Sequence, residues 1–191
     1  VWRSTDDGVT WTVSQPAAIT DIVGLAISRS GELWCATKSN GVFLSLDSNR
    51  SWTKISSPSY PVVDVKAWSG GGACVLLESA PWLEITSDGG KSWMKKGLPD
   101  VYALPSAIGI DTTGRLFVGA GVSFGSHGGG GIWSTGDAGS TWTDCNSGLQ
   151  NFRQWRSLVR GIGFGPGGLV LAGCYGGGLY ASTNGLSWDK I

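Results

Sequence analysis

The sequence predicts an all-β chain built from repeated four-stranded antiparallel units gathered about a common axis. Three observations carry that expectation. Residues 1–11, 42–52, 83–93, 132–142 and 179–188 superimpose on one pattern: apolar, usually aromatic, any, Ser/Thr, any, Asp, any, Gly, any, Ser/Thr, Trp. The acidic position recurs at Asp6, Asp47, Asp88 and Asp137, with Asn184 in the fifth copy, at separations of 41, 41, 49 and 47 residues. A period in this range marks a supersecondary unit repeated in space. Between copies lie only strand-length apolar runs, and glycine fills 32 of 191 positions, more than double its ordinary ~7 %.

Each copy reads as the tip of a β-hairpin. Alternating apolar residues such as Val42 and Leu44 enter the turn. The Asp side chain then accepts hydrogen bonds from backbone N–H groups just beyond it, and Gly supplies a positive φ. The Ser/Thr begins the return strand, and the Trp offers a large apolar body to pack under the hairpin. The structural residues of the five copies are thus Asp6 and Trp11, Asp47 and Trp52, Asp88 and Trp93, Asp137 and Trp142, and Asn184 and Trp188. Copy two has Asn49 where Gly is usual, and Asn also visits the left-handed region. Copy five is one residue shorter, so its turn is expected to differ.

The intervals between hairpins read strand, glycine turn, strand, as in residues 23–37, 106–120 and 160–174. Small residues recur in the first of these strands at Ala26, Ala67, Gly109 and Gly163, as expected where strands crowd toward an axis. One unit is therefore four strands, A to D, with the Asp-bearing hairpin joining C to D.

These five motifs resemble the Asp-box (BNR) repeats, Ser/Thr-x-Asp-x-Gly-x-Ser/Thr-Trp, of sialidases, sortilin-like receptors, xyloglucanases and photosystem assembly factors. The resemblance covers nearly the whole chain. It implies a β-propeller of four-stranded antiparallel blades, and implies little about function, because the family spans enzymes, lectins, receptors and assembly factors. The expected domain is a single Asp-box propeller over residues 1–191, with a C–D half blade at 1–13 and blades at 19–55, 60–96, 101–145 and 155–191. Four full blades plus a half blade predict an incomplete ring or part of a larger propeller, completed by further blades of the same polypeptide or of another copy.

Composition narrows the partners. Fourteen basic residues balance fourteen acidic ones, so the electrostatic footprint of nucleic-acid binding is missing, and no apolar run approaches the ~20 residues of a membrane-spanning helix. Neither nucleic acid nor membrane insertion is expected. Cys35, Cys74, Cys145 and Cys174 show no metal-ligand spacing with the sole His127 and read as buried, unpaired thiols. No metal or cofactor is expected.

In a four-stranded meander the A–B and C–D connections share one end and the B–C and D–A connections the other, so the Asp turns lie opposite the loops that in propellers commonly carry ligands. Those loops are residues 38–40, 79–82, 121–130 and 175–177 between B and C, and 14–18, 56–60, 98–102 and 147–155 between D and A. The candidate ligand contacts among them are Trp82, Phe124, His127, Arg153, Trp155 and Arg156. The glycine-rich 121–131 segment holds Phe124 and His127, while Arg153, Trp155 and Arg156 combine bidentate donors with an aromatic platform suited to sugars or carboxylates. No Arg-x-Pro occurs, so a sialidase centre lacks support. Asp21, Asp64, Glu78 and Asp100 are the few acids of this end, with Asp64 the leading single acid. Glu84 stands where other copies have an aromatic residue and is expected to be exposed at a blade edge.

The favoured function is therefore non-catalytic: a binding or scaffold propeller, extracellular or at the cell surface, recognising a glycan or a protein through its B–C/D–A face. The alternative is a fragment of a xyloglucanase-like glycoside hydrolase, whose second carboxylate would come from other blades.

Overall fold

The structure, a computed structural model, describes residues 1–13, 19–80, 82–100, 103–122, 130–150 and 158–191. Its described regular elements are β-strands and one short 3₁₀ turn at Pro166–Gly168. A two-stranded sheet pairs β1 (Trp2–Arg3) with β2 (Thr12–Val13). Four four-stranded sheets follow. They are β3 (Ile22–Ile27) to β6 (Thr53–Ser56) through β4 (Leu33–Thr37) and β5 (Gly41–Ser45), then β7 (Val62–Trp68) to β10 (Met94–Lys96) through β8 (Gly72–Leu77) and β9 (Leu83–Thr86). Next come β11 (Ala103–Ile110) to β14 (Thr143–Asp144) through β12 (Leu116–Val122) and β13 (Gly131–Thr135), and β15 (Leu158–Phe164) to β18 (Asp189–Lys190) through β16 (Val170–Tyr175) and β17 (Gly178–Ser182). In every sheet spatial order equals chain order. These are the blades of a β-propeller.

The sequence explains why each blade is graded from inside to outside. The two middle strands carry near-continuous apolar runs, and β5 and β8 are buried at every position, the pattern of strands covered on both faces. The fourth strands are short and polar, with β14 and β18 exposed throughout, which blunts a free sheet edge. Three of the first strands, β3, β11 and β15, have a further device: the A–B pairing shifts register between Ile22 and Gly24, between Pro105 and Ala107, and between Val159 and Gly161. A bulge near the start of a strand increases its local twist.

Two compact units divide the chain, residues 1–75 with 86–93 and residues 76–85 with 94–191. Within the first, β3 lies against β7, and Gly24 permits the approach, since a Cβ there would stand 2.8 Å from Asp64 Oδ1 and 2.9 Å from the Val65 nitrogen. Trp34 and Trp93 meet edge to face at 6.4 Å. On the other face of the β3–β6 blade, Ile19, Cys35 and Phe43 form a cluster closed by Val1 and Trp52. Leu25 shares that face through the register Leu25–Cys35–Phe43, yet Leu25 and Ile27 are 52 % and 71 % exposed.

In the second unit β15 lies against β11. Gly109 faces Phe164, where a Cβ would come within 2.6 Å of the ring. The core there gathers Phe117, Ile132, Val159, Val170, Ala172, Tyr180 and Trp188. The small first-strand residues thus have unequal reasons. Gly109 makes room for a neighbouring aromatic ring, whereas a Cβ at Gly163 would meet open space.

Candidate functional site

In each of the five repeated turns the Asp or Asn side chain is the centre of a local hydrogen-bond system. In the first, Asp6 Oδ1 accepts from the Thr10 amide at 2.8 Å and from the Ser4 hydroxyl at 2.8 Å, while the Thr10 hydroxyl donates to Oδ2. The same arrangement recurs at Asp47 with Ser45 and Ser51, at Asp88 with Thr86 and Ser92, and at Asp137 with Thr135 and Thr141. Each carboxylate is held by hydrogen bonds that its ionised form strengthens. The Thr10 hydroxyl foremost brings Asp6 down to about 2, the Thr141 amide foremost brings Asp137 to about 2, and the Ser51 and Ser92 hydroxyls hold Asp47 and Asp88 well below the usual carboxylate range. In the fifth turn Asn184 Oδ1 accepts from the Leu186 and Ser187 amides at 2.8 and 3.0 Å. These acceptors are engaged by their own loops.

The tryptophans that end the turns differ more. The Trp11 and Trp93 indoles donate to the Gly8 and Gly90 carbonyls, whereas Trp52 donates to Asn49 Oδ1 at 2.7 Å. Asn49 sits at φ 74°, so it keeps the glycine conformation and supplies the acceptor from its side chain. Trp188 donates instead to the Cys145 carbonyl of another blade at 2.8 Å.

At the opposite end of the β3–β6 blade, the turn between β4 and β5 is fixed from several sides. The Thr37 hydroxyl donates to the Gly41 carbonyl and accepts from the Asn40 amide, and Asn40 Nδ2 donates to the Thr20 hydroxyl. The Lys38 amide donates to the Asp21 carbonyl, and the Lys38 carbonyl accepts from the Val62 amide at 3.1 Å. That last bond ties the B–C turn to the start of β7. Between them lies a cavity of about 210 Å³ lined by Lys38, Ser39, Gly41, Pro58, Ser59, Tyr60, Pro61 and Val62. Pro58 and Pro61 bracket Ser59 and Tyr60 and restrict the D–A connection. This concavity was legible in the sequence only as two loops, 38–40 and 56–60; their juxtaposition depends on the β3–β7 packing.

Of the ligand contacts expected from sequence, Trp82 lies within the described residues. It occupies a tight turn at φ 73°, its amide donating to the Ser79 carbonyl and its carbonyl accepting from Leu77, and it is half-buried. Phe124, His127, Arg153, Trp155 and Arg156 lie outside the described residues. Asp64, the leading acid, is ion-paired with Lys66 at 2.6 Å and accepts from the Val65 amide. Glu84 is a correction: it is 4 % exposed rather than set out at an edge. Its position in β9, a strand covered on both faces, takes it out of water, and burial pushes its carboxyl up while the Lys95 opposite it in β10 pulls it back. Burial likewise raises the thiols of Cys74, Cys145 and Cys35, the last to about 11, so they stay protonated and unreactive. Among the described residues no group of three His, Cys, Asp or Glu side chains converges as a metal would need.

The class defined by this architecture is the β-propeller, and comparison with solved structures agrees. YCF48 bound to a D1 peptide matches with a TM-score of 0.65 at 18 % identity, over 97 % of this chain and 58 % of that one. The GH74 xyloglucanase from Xanthomonas campestris matches with a TM-score of 0.68 at 18 % identity, over 92 % of this chain and 30 % of the enzyme. The computationally designed Ika4 protein matches at 0.59 and 11 % identity, over 90 % and 94 %. The chain thus spans 58 % of the YCF48 structure and 25 % of an ancestral GH74 enzyme. No protein-family model and no curated protein matches the sequence.

Proposed function

We propose that this chain is a non-catalytic recognition propeller of the Asp-box type, binding a glycan or a protein through its B–C/D–A end. The observation that carries the reading is the braced concavity at residues 38–41 and 58–62, which lies at the end opposite the aspartate turns and is lined by a lysine, hydroxyl-bearing residues and a tyrosine, with no carboxylate among the described lining residues. The repeated turns support the Asp-box assignment, and YCF48, a neighbour in fold, holds a peptide. The exposed Leu25 and Ile27 support completion by further blades, from the same polypeptide or another copy. An extracellular or cell-surface setting is part of the proposal.

A second reading, a portion of a glycoside hydrolase, is favoured by the likeness to GH74 enzymes. It requires two carboxylates roughly 5–9.5 Å apart across a scissile bond, and Asp64 is already ion-paired. A combined glycan and peptide array separates the two. Binding lost with Tyr60→Ala and retained with Arg50→Ala, on the aspartate-turn side, supports recognition at the rim. Release of reducing ends from xyloglucan by the wild-type chain would replace this reading with the second, and loss of binding with Arg50→Ala alone would move recognition to the other end.

A further inference from the structure

The cavity between the β4–β5 turn and the β6–β7 connection has a composition that selects among ligands. At about 210 Å³ it falls below the roughly 300–1,000 Å³ of pockets for drug-sized molecules, and accommodates one ring. Its lining combines one cationic residue, Lys38, with the hydroxyl-bearing Ser39, Ser59 and Tyr60 and the apolar faces of Pro58 and Pro61. No carboxylate pairs with Lys38 among the described residues. The lysine's backbone is nonetheless pinned at both its amide and its carbonyl, so its side chain springs from a fixed base rather than from a loose loop. A lysine with no carboxylate partner among the described residues, lining a cavity together with a tyrosine and two prolines, matches a ligand that carries an anion on one edge, hydroxyls around it and a C–H face for stacking.

We propose that this cavity binds a single hexuronate residue of an acidic glycan, with Lys38 receiving the carboxylate, Ser39 and Ser59 the ring hydroxyls, and Tyr60 with the two prolines the ring face. This rests on the recognition reading above and deepens it by naming the ligand. A free phosphate or a neutral sugar satisfies only half of the lining.

The test is calorimetric or NMR titration of the wild-type chain with galacturonate, glucuronate, neutral galactose and acetate, repeated with Lys38→Met and Tyr60→Ala after circular dichroism has established that both variants keep the wild-type spectrum and melting midpoint. Expected is saturable uronate binding, weakened about tenfold by Lys38→Met and also by Tyr60→Ala, with galactose and acetate each much weaker. Equal affinity for galactose, equal affinity for acetate, or indifference to Lys38→Met would overturn the proposal. If no uronate binds while the array still yields a rim-dependent ligand, the hexuronate assignment fails and the recognition function stands. If neither assay yields a rim-dependent ligand, both fail. Should a variant lose its fold, Lys38→Arg gives the remaining arm: retained uronate binding is expected, and its loss counts against the carboxylate contact.

Discussion

The turn at residues 4–11 and the turn at residues 182–188 share a sequence pattern but sit in opposite surroundings. In the first, a carboxylate organises the loop, the Trp11 indole bonds back to Gly8, and the ring is 55 % exposed. In the last, an amide takes the carboxylate's place, and the Trp188 indole reaches Cys145, 43 residues away, with the ring 3 % exposed. The hydrogen bonds to the Asp6 and Asn184 side chains are local and follow from each loop's own few residues. Burial of the tryptophan is not local, since it depends on what the neighbouring sheet places over the ring: for Trp188, that is the 145–148 segment of the preceding blade, whose Ser147 carbonyl also accepts from the Trp188 amide. The same motif is thus a loop organiser in one place and an interblade clamp in another.

The sharpest way to break that comparison is to truncate both rings. Trp188→Ala is expected to lower stability by about 3–5 kcal/mol, the range for emptying a buried aromatic site, and it also strips the Cys145 carbonyl of its partner. Trp11→Ala is expected to change stability by less than about 1 kcal/mol, as for exposed positions away from a core. Urea unfolding followed by far-UV circular dichroism measures both, and equal effects would contradict a division between local and interblade roles.

Acid separates the four carboxylate turns from the fifth. Their pKa values are depressed in the folded state, so the stability they add is present above the unfolded value of about 3.9 and is lost as pH falls through the folded values, about 2 for Asp6 and Asp137. Asn184 has no proton to gain. Replacing Asp6, Asp47, Asp88 and Asp137 together by asparagine is expected to lower stability at neutral pH and to flatten its decline between about pH 4 and 2. An acid limb as steep as that of the wild type would mean that other groups set it.

Smaller effects sharpen the picture within single turns. Asn49→Gly keeps the left-handed backbone but removes the acceptor of the Trp52 indole, and should cost about 0.5–1.5 kcal/mol; a neutral result would show that the Gly-type carbonyl bond of the other turns simply re-forms. The smallest change is expected at Glu84. Its carboxyl is raised rather than lowered, so its contribution is largest below the unfolded value of about 4.3 and declines as pH rises through the raised one. Glu84→Gln should therefore be neutral to slightly stabilising, by less than about 1 kcal/mol, at pH 7. Destabilisation beyond that would reveal an attraction to Lys95, opposite it in β10, that the protein relies on.

The sequence by itself determined the blade unit, its period and the chemistry of its turns, because these rest on contacts between residues a few positions apart: Asp6 with Ser4 and Thr10, Asp88 with Thr86 and Ser92, alternation along each strand. Only the tertiary structure decided what depends on two sheets meeting. It buried Glu84, which a single strand read in isolation puts at an edge; it covered Trp188 and left Trp11 open; and it brought the lysine of one loop beside the tyrosine and prolines of another to make the cavity at residues 38–62. The physical reason is range. Hydrogen bonds within a turn are written in neighbouring letters, whereas burial and concavity are properties of surfaces that close only when distant strands pack.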